Sequence, residues 1–484
     1  MREHDRLFIG GTWQEPAGSD VLEVISPATE EVVGRLPLTT EADIDRAVDA
    51  ARTAFDEGPW PRMTPAERIE ILSRMAGLYA ARLEDFAQIT TEEMGAPIFF
   101  SRLAQAPMPL WILNSMIEIA AEYPWEETRQ GLFGEAIVRG EPVGVAAAIT
   151  PWNVPQFTVM SKLAPALLAG CTIVVKPAEE TPLTGFVLGE VIEQAGIPEG
   201  VVSILTGTRE VGEHLVRHPG VDKVAFTGST AAGRRIAAIC GEELKRCSLE
   251  MGGKSAAIVL DDAEMDRLIR GLKFYGLLNT GQACVAQSRI LVSRNRHDEV
   301  LDALAGMFEA LNIGDPFEPT TEIGPLISQR QQERVEKYIA LGQEEGARVV
   351  VGGNGRPEGR DKGWYVRPTL FADVDNSMRV AREEIFGPVL CVIPYDDEDQ
   401  AVRIANDSEY GLAGSIWSTD QDHAVDLARR VRSGSLAVNG YAMDFKAPFG
   451  GYKTSGIGRE FGREGLEEYL EQKTILPVTA EPPV

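Results

Sequence analysis

Apolar residues first recur as short extended runs, 7–9 and 21–25, broken by Gly10 and Gly11. From Thr40 the period lengthens, and Ile44, Ala47, Val48, Ala51 and Phe55 share one helical face. Thr40 is placed to cap this helix, with Glu41 and Asp43 near the positive end of its dipole. Further helices are predicted over 64–83 with Pro65 at the first position, over 83–93, and over 98–121. Residues 122–141 interrupt them with Tyr123-Pro124-Trp125, Gly131, Gly134 and Gly140 around an alternating stretch, which reads as an exposed hairpin.

Strands and helices then alternate. Strands are expected at 143–149, 171–176, 201–205 and 223–226, with helices at 161–169, 182–195, 211–217 and 229–240 between and after them. A second cycle runs from about residue 253. It has strands at 256–260, 290–293, 349–351, 389–395, 413–417 and 435–439, and helices at 265–278, 297–311, 329–345, 398–405 and 421–431. Such alternation requires right-handed crossovers and parallel sheets, so the pattern predicts two doubly wound α/β units.

The chain carries 47 Lys and Arg against 73 Asp and Glu, a net charge of −26. So acidic a surface repels nucleic-acid phosphates and anionic lipid, and neither is expected as a partner. No apolar run is long enough to span a membrane, and the polar first residues lack the apolar core of a signal peptide, so a cytoplasmic protein is expected. Cys171, Cys240, Cys247, Cys284 and Cys391 are scattered and form no C-x-x-C pair, which argues against a disulfide framework and a structural zinc. No metal is expected.

Six segments carry candidate chemistry. Cys284 sits among small residues in Asn279-Thr-Gly-Gln-Ala-Cys284, where a carbonyl can approach a thiolate; the bland alternative is a buried small hydrophobe. Glu250 lies between apolar residues and Gly252-Gly253, where desolvation raises a carboxylate toward a useful base; otherwise it is a solvated strand end near Lys254. Asn153, between Pro151 and Pro155, offers a rigid amide to a developing oxyanion, unless the loop is a plain turn. Lys176 ends a buried strand, where open α/β sheets bind ligands, and Glu179 follows within reach of a ribose diol; the alternative is an exposed ion pair. Gly228, Ser229 and Gly233 form a strand–turn–helix that aims N–H groups at a phosphate. Their G-x-x-x-x-G spacing lacks the Lys-Ser/Thr of a P-loop, and Ser229 is also an ordinary helix cap. Glu384 and Phe386 stand beside rigid Gly387-Pro388, suited to a sugar and a ring, or else are a surface acid and a core phenylalanine.

In this order and over nearly the whole chain, these segments resemble the aldehyde dehydrogenase superfamily, of the hydrolytic, acid-forming type. The resemblance implies an α/β fold of two doubly wound Rossmann-like domains with a small β oligomerisation flap. Residues 1–121 and 143–252 are then the NAD-binding domain, 253–455 the catalytic domain, and 122–142 with 456–484 the flap and C-terminal segment. It implies Cys284 as nucleophile, Glu250 as general base, Asn153 and the Cys284 N–H as oxyanion donors, and Lys162 with Glu460 as a proton path. The implied cofactor residues are Ile149, Thr150, Trp152, Lys176, Glu179, Gly228, Ser229, Gly233, Gly252, Glu384 and Phe386. NAD is expected over NADP, because Glu179 repels a 2′-phosphate. The expected partners are an aldehyde and further copies of the chain, as a homodimer or homotetramer.

Ala283 and Val285 flank Cys284, so the paired cysteines of some relatives are absent. Val154, Phe157, Thr158, Ser161 and Leu278 match channel positions. Tyr441, Phe445 and Phe449 at the rim suit an apolar or aromatic aldehyde, whereas Lys446 suits an acidic one. Transfer of the acyl group to coenzyme A is a rival reading that Glu250 disfavours. A cysteine hydrolase needs a histidine partner, for which His214 and His218 are candidates. A non-catalytic relative is disfavoured by the intact Cys284, Glu250 and Asn153.

Overall fold

The computed structural model describes residues 1–132 and 134–477. The parts of the expected flap at 133 and 478–484 lie outside them. Two large sheets organise the fold. The first has eight strands in the order Gly456–Ile457, Arg246–Glu250, Lys223–Thr227, Val145–Ile149, Thr172–Lys176, Val202–Ile204, Leu7–Ile9 and Thr12–Gln14. Its five central strands are parallel, and the outer ones run antiparallel. The chain leaves Val145–Ile149 toward Thr172–Lys176 on one side and later returns to its other side at Lys223–Thr227. The end of Val145–Ile149 is therefore the switch point at which doubly wound sheets bind ligands.

The second sheet orders Arg348–Val351, Thr369–Ala372, Val389–Tyr395, Arg289–Ser293, Ala256–Val259, Gly414–Trp417 and Ala437–Val438. All of its pairings are parallel except that of Arg348–Val351. A third sheet joins the hairpin Glu126–Gly131 and Gly134–Pro142 to Leu470–Ile475. A small fourth sheet pairs Arg2–Glu3, Val32–Pro37 and Val21–Ile25.

Several boundaries differ from the periodic reading, for physical reasons. The helix expected at 161–169 begins at Pro155, and every residue of Pro155–Ala169 is buried. A helix buried on all sides has no amphipathic stripe to reveal its first turns. The helix expected over 98–121 is broken by a π-helical turn, Ser101–Gln105, before Pro107–Glu122. Glu250, expected just before a strand, ends one: Arg246–Glu250 mixes charged and apolar residues and shows no alternation. Strand Thr369–Ala372 went unread, strand 435–439 shrinks to Ala437–Val438, and helix 421–431 ends at Ala428.

Candidate active site

Helix Met265–Leu277 runs into a turn, Leu278–Gly281, in which three successive residues are left-handed: Asn279 at φ 54°, Thr280 at 59° and Gly281 at 73°. Each non-glycine residue held there costs about 1–2 kcal/mol. Tertiary bonds hold the strain. The Gly324 N–H donates to Thr280 Oγ1 at 3.1 Å, and the Ile327 N–H donates to Gln282 Oε1 at 3.0 Å. At Gly281 a Cβ would lie 2.1 Å from the Gly387 carbonyl oxygen, and at Gly253 one would lie 2.3 Å from that of Cys284. The loop thus delivers Cys284 to the floor of a cleft of about 1280 Å³ between the two large sheets. Burial, with the carboxylates of Glu384 and Glu250 adding to it, pushes the Cys284 thiol up to about 12, while the amides of Cys284 and Val285 act the other way.

Asn153 reaches the same floor from the switch point. Its carbonyl accepts from Gln105 Nε2 and Asn279 Nδ2, both at 2.9 Å. Its own Nδ2 donates to the Gln282 carbonyl at 2.9 Å, which leaves the second N–H without an acceptor among the described residues. Gln105, Asn279 and Gln282 were not singled out from sequence. Their signal is only an amide side chain, and amides are common everywhere.

Glu250 lines the cleft at the end of its strand. Both carboxylate oxygens are buried without a hydrogen-bond partner among the described residues, and a Cβ at Gly450 would lie 2.8 Å from Oε1. Burial raises its proton affinity well above the carboxylate range; Glu460 adds to this, and Lys162 and Arg459 oppose it. Lys162, 1% exposed, binds Glu460 Oε1 at 2.5 Å and donates to Thr227 Oγ1 at 2.6 Å. Thr227 is a third member of this group that sequence reasoning missed.

Other expected residues gather at the C-terminal ends of the first sheet. The Thr150 N–H, beside Ile149, donates to the Lys176 carbonyl, and the Gly228 N–H donates to that of Glu250. Lys176 is buried with one long bond to the Pro177 carbonyl at 3.5 Å, so it is not the exposed ion pair of the bland reading. Burial lowers its ammonium, while Glu179, Glu180 and Glu210 raise it. Ser229 caps helix Thr230–Glu243 and lines the cleft. Gly233 does not line it; a Cβ there would meet Met251 Sδ at 2.1 Å, so its smallness lets the helix pack. The second sheet contributes from its N-terminal ends. Glu384, pushed up to about 7 by burial, accepts from the Gly253 N–H at 2.9 Å, and a Cβ at Gly252 would lie 2.5 Å from it. Phe386 meets Trp152 edge to face at 5.3 Å.

Val154, Phe157, Thr158, Leu278, Tyr441, Phe445 and Phe449 line the cleft. Ser161 does not: its hydroxyl donates to the Thr158 carbonyl within the helix. His214 and His218 both face Asp45, and neither lines the cleft. The cysteine-hydrolase reading thereby loses its base. Among the described residues no cluster fit for a metal is found, and no helix is long and apolar enough to cross a membrane.

The model of the aldehyde dehydrogenase family matches residues 13–475. The chain belongs to that family. Among aldehyde dehydrogenases it is 47% identical over 474 residues to the geranial dehydrogenase of Castellaniella defragrans, covering 98% of either chain. It is 44% identical to a 3-succinoylsemialdehyde-pyridine dehydrogenase of a Pseudomonas species, covering 98% of this chain and 99% of that one. Its fold matches the Mycobacterium tuberculosis aldehyde dehydrogenase solved with NAD+ at a TM-score of 0.97 and 49% identity, over 99% of this chain and 100% of that one. Aldehyde dehydrogenase C of Pseudomonas syringae, a mutant solved with NAD+ and octanal, matches at 0.95 and 40% identity, over 99% and 98%.

Proposed function

We propose that this aldehyde dehydrogenase oxidises an aldehyde to a carboxylic acid with NAD+ and water, carrying the acyl group on Cys284. The observation that carries the reading is the meeting of Cys284, Asn153 and Glu250 in one cleft, with the Asn153 amide bonded to the loop that holds the thiol.

The residues present suit NAD. Among the described residues no carboxylate lies at ion-pair distance from the buried Lys176 ammonium, which suits it to a hydroxyl. Helix Thr230–Glu243 opens its N-terminus behind Ser229, which suits a pyrophosphate. Glu384 and Phe386 are the groups for the nicotinamide ribose and ring. Trp152, packed edge to face on Phe386, walls the cleft beside it, and Ile149, Thr150, Gly228 and Gly252 keep the backbone close. When bound, NAD+ supplies the hydride acceptor that turns a thiohemiacetal on Cys284 into a thioester.

The rest of the chemistry belongs to the chain. Cys284 passes its proton toward Glu250 and adds to the carbonyl. The oxyanion is held by the free Asn153 N–H and the Cys284 N–H. Lys162 and Glu460 carry the thiol proton away from Glu250, which then takes a second proton from water as that water attacks the thioester, expelling the Cys284 thiolate and freeing the acid. Water rather than coenzyme A is the acceptor in this reading, which the carboxylate of Glu250 in the same cleft as Cys284 supports.

In this reading 1–121 and 143–252 hold the cofactor, 253–455 carry the nucleophile, and 122–142 with the C-terminal segment join copies of the chain into a homodimer or homotetramer. The exposed outer strand Glu126–Gly131 is an edge open to pairing. All five cysteines are free, which fits the reducing cytoplasm.

The test is aldehyde-dependent NADH formation with acid released in equal amount. Acyl-coenzyme A in place of acid, or turnover without NAD+, would sink the reading. Asn153→Ala is expected to lower kcat about 10²–10³-fold with little change in KM, since its bond forms to charge that develops only after attack. An unchanged kcat would remove Asn153 from the oxyanion site. Glu179→Ser is expected to raise the NADP+/NAD+ ratio of kcat/KM at least about tenfold by removing like-charge repulsion. A ratio that stays put would mean that Glu180 and Glu210, which share this corner, set the preference instead.

A further inference from the structure

One wall of the cleft comes from Ile98–Phe100, the turn Ser101–Gln105, helices Pro107–Glu122, Pro155–Ala169 and Met265–Leu277, and segment 441–449. Among the described residues, every lining side chain from these elements is uncharged. Two of their hydroxyls are engaged within the protein: Thr158 Oγ1 donates to the Val154 carbonyl at 3.1 Å, and Tyr441 Oη pairs with Ser435 Oγ at 3.0 Å. Lys446, the one cation of that segment, is bound to Glu118 at 2.6 Å and is not on the wall. A charged aldehyde tail entering here would lose water and meet no counter-ion.

The apolar wall continues to the surface. Leu103, Trp111 and Phe274 line the cleft and are 54%, 49% and 37% exposed. Large apolar side chains gathered at a cleft mouth mark a binding surface, whereas scattered ones do not. The π-helical turn places the first of them. Ser101–Gln105 leaves Leu103 exposed while Gln105 stays buried and holds the Asn153 carbonyl. Turns of this kind are concentrated at functional sites.

We propose that the substrate is an uncharged aldehyde with an extended apolar tail, and that Leu103, Trp111 and Phe274 receive the far end of that tail and set the preferred length. This rests on Cys284 being the site of aldehyde addition. The test is kcat/KM for NADH formation with unbranched alkanals from ethanal to dodecanal, beside ω-carboxylate and ω-trimethylammonium aldehydes of matched length. The wild type is expected to gain about fourfold per methylene until the tail fills the mouth. It is expected to reject both charged series by at least about a hundredfold. Leu103→Ala combined with Trp111→Ala is expected to lower the decanal-to-propanal ratio about tenfold. A flat series with steady NADH formation, preference for either charged tail, or a double variant with the wild-type ratio would overturn this inference and leave the catalytic reading standing. No NADH from any aldehyde would overturn both.

Discussion

Cys284→Ala is expected to remove aldehyde-dependent NADH formation, by at least about 10⁴-fold in kcat. The proposed covalent route splits oxidation into addition, hydride loss and hydrolysis, and without the sulfur none of these steps has a starting point. The Cys284 thiol, pushed up to about 12, is not activated by its surroundings. Burial and the two carboxylates hold it protonated, so attack requires the proton to leave toward Glu250 as the sulfur adds. The fold should not suffer, because the strain of the loop is held by Thr280, Gln282 and Asn279 and not by Cys284. A melting temperature close to wild type, with NAD+ binding retained and activity lost, is the expected combination. Activity within tenfold of wild type would dismiss Cys284 as the nucleophile.

Glu250→Gln is expected to give a burst of about one NADH per active site and then steady turnover lowered about 10²–10⁴-fold. In the proposed route addition and hydride loss precede the hydrolytic water, so the acyl group should stall on Cys284 when the base is missing. Rapid-mixing absorbance of NADH separates the two phases, and mass spectrometry should find the stalled acyl group on Cys284. The pH profile supplies an independent sign. As the proposed base Glu250 must be ionised to act, and burial beside Glu460 raises its affinity for a proton. The acid limb of wild-type kcat should therefore fall at a pH above the ordinary carboxylate range, and the Gln variant should lose that limb. Linear progress at the wild-type rate would count against Glu250 as the base.

The members of the candidate site that share the cleft were legible because their motifs are local. Asn153 between two prolines, Glu250 ahead of two glycines and Cys284 among small residues are each readable from a few neighbours. The supporting shell was not. Gln105 lies 48 positions from the carbonyl it holds, and Thr227 lies 65 positions from Lys162. Nothing in either neighbourhood announces the partner. Ser161 was misread for a related reason: its position suggested the channel, but helix phase turned the hydroxyl back to Thr158. Gly233 looked like part of a phosphate turn and proved to be room for Met251.

What the sequence determined by itself is the alternation of strands and helices, the parallel sheets that this demands, and the residue types able to do acyl chemistry. Periodicity and turn chemistry act over a few residues, so they survive without a fold. What only the tertiary structure decided is which of these residues meet, and how. The ends of one sheet face the beginnings of the other, and glycines at 253 and 281 allow backbones to approach where a single Cβ would collide. That contact, and the burial it imposes on Cys284, Glu250 and Glu384, comes from close packing between distant segments, and close packing sets their proton affinities.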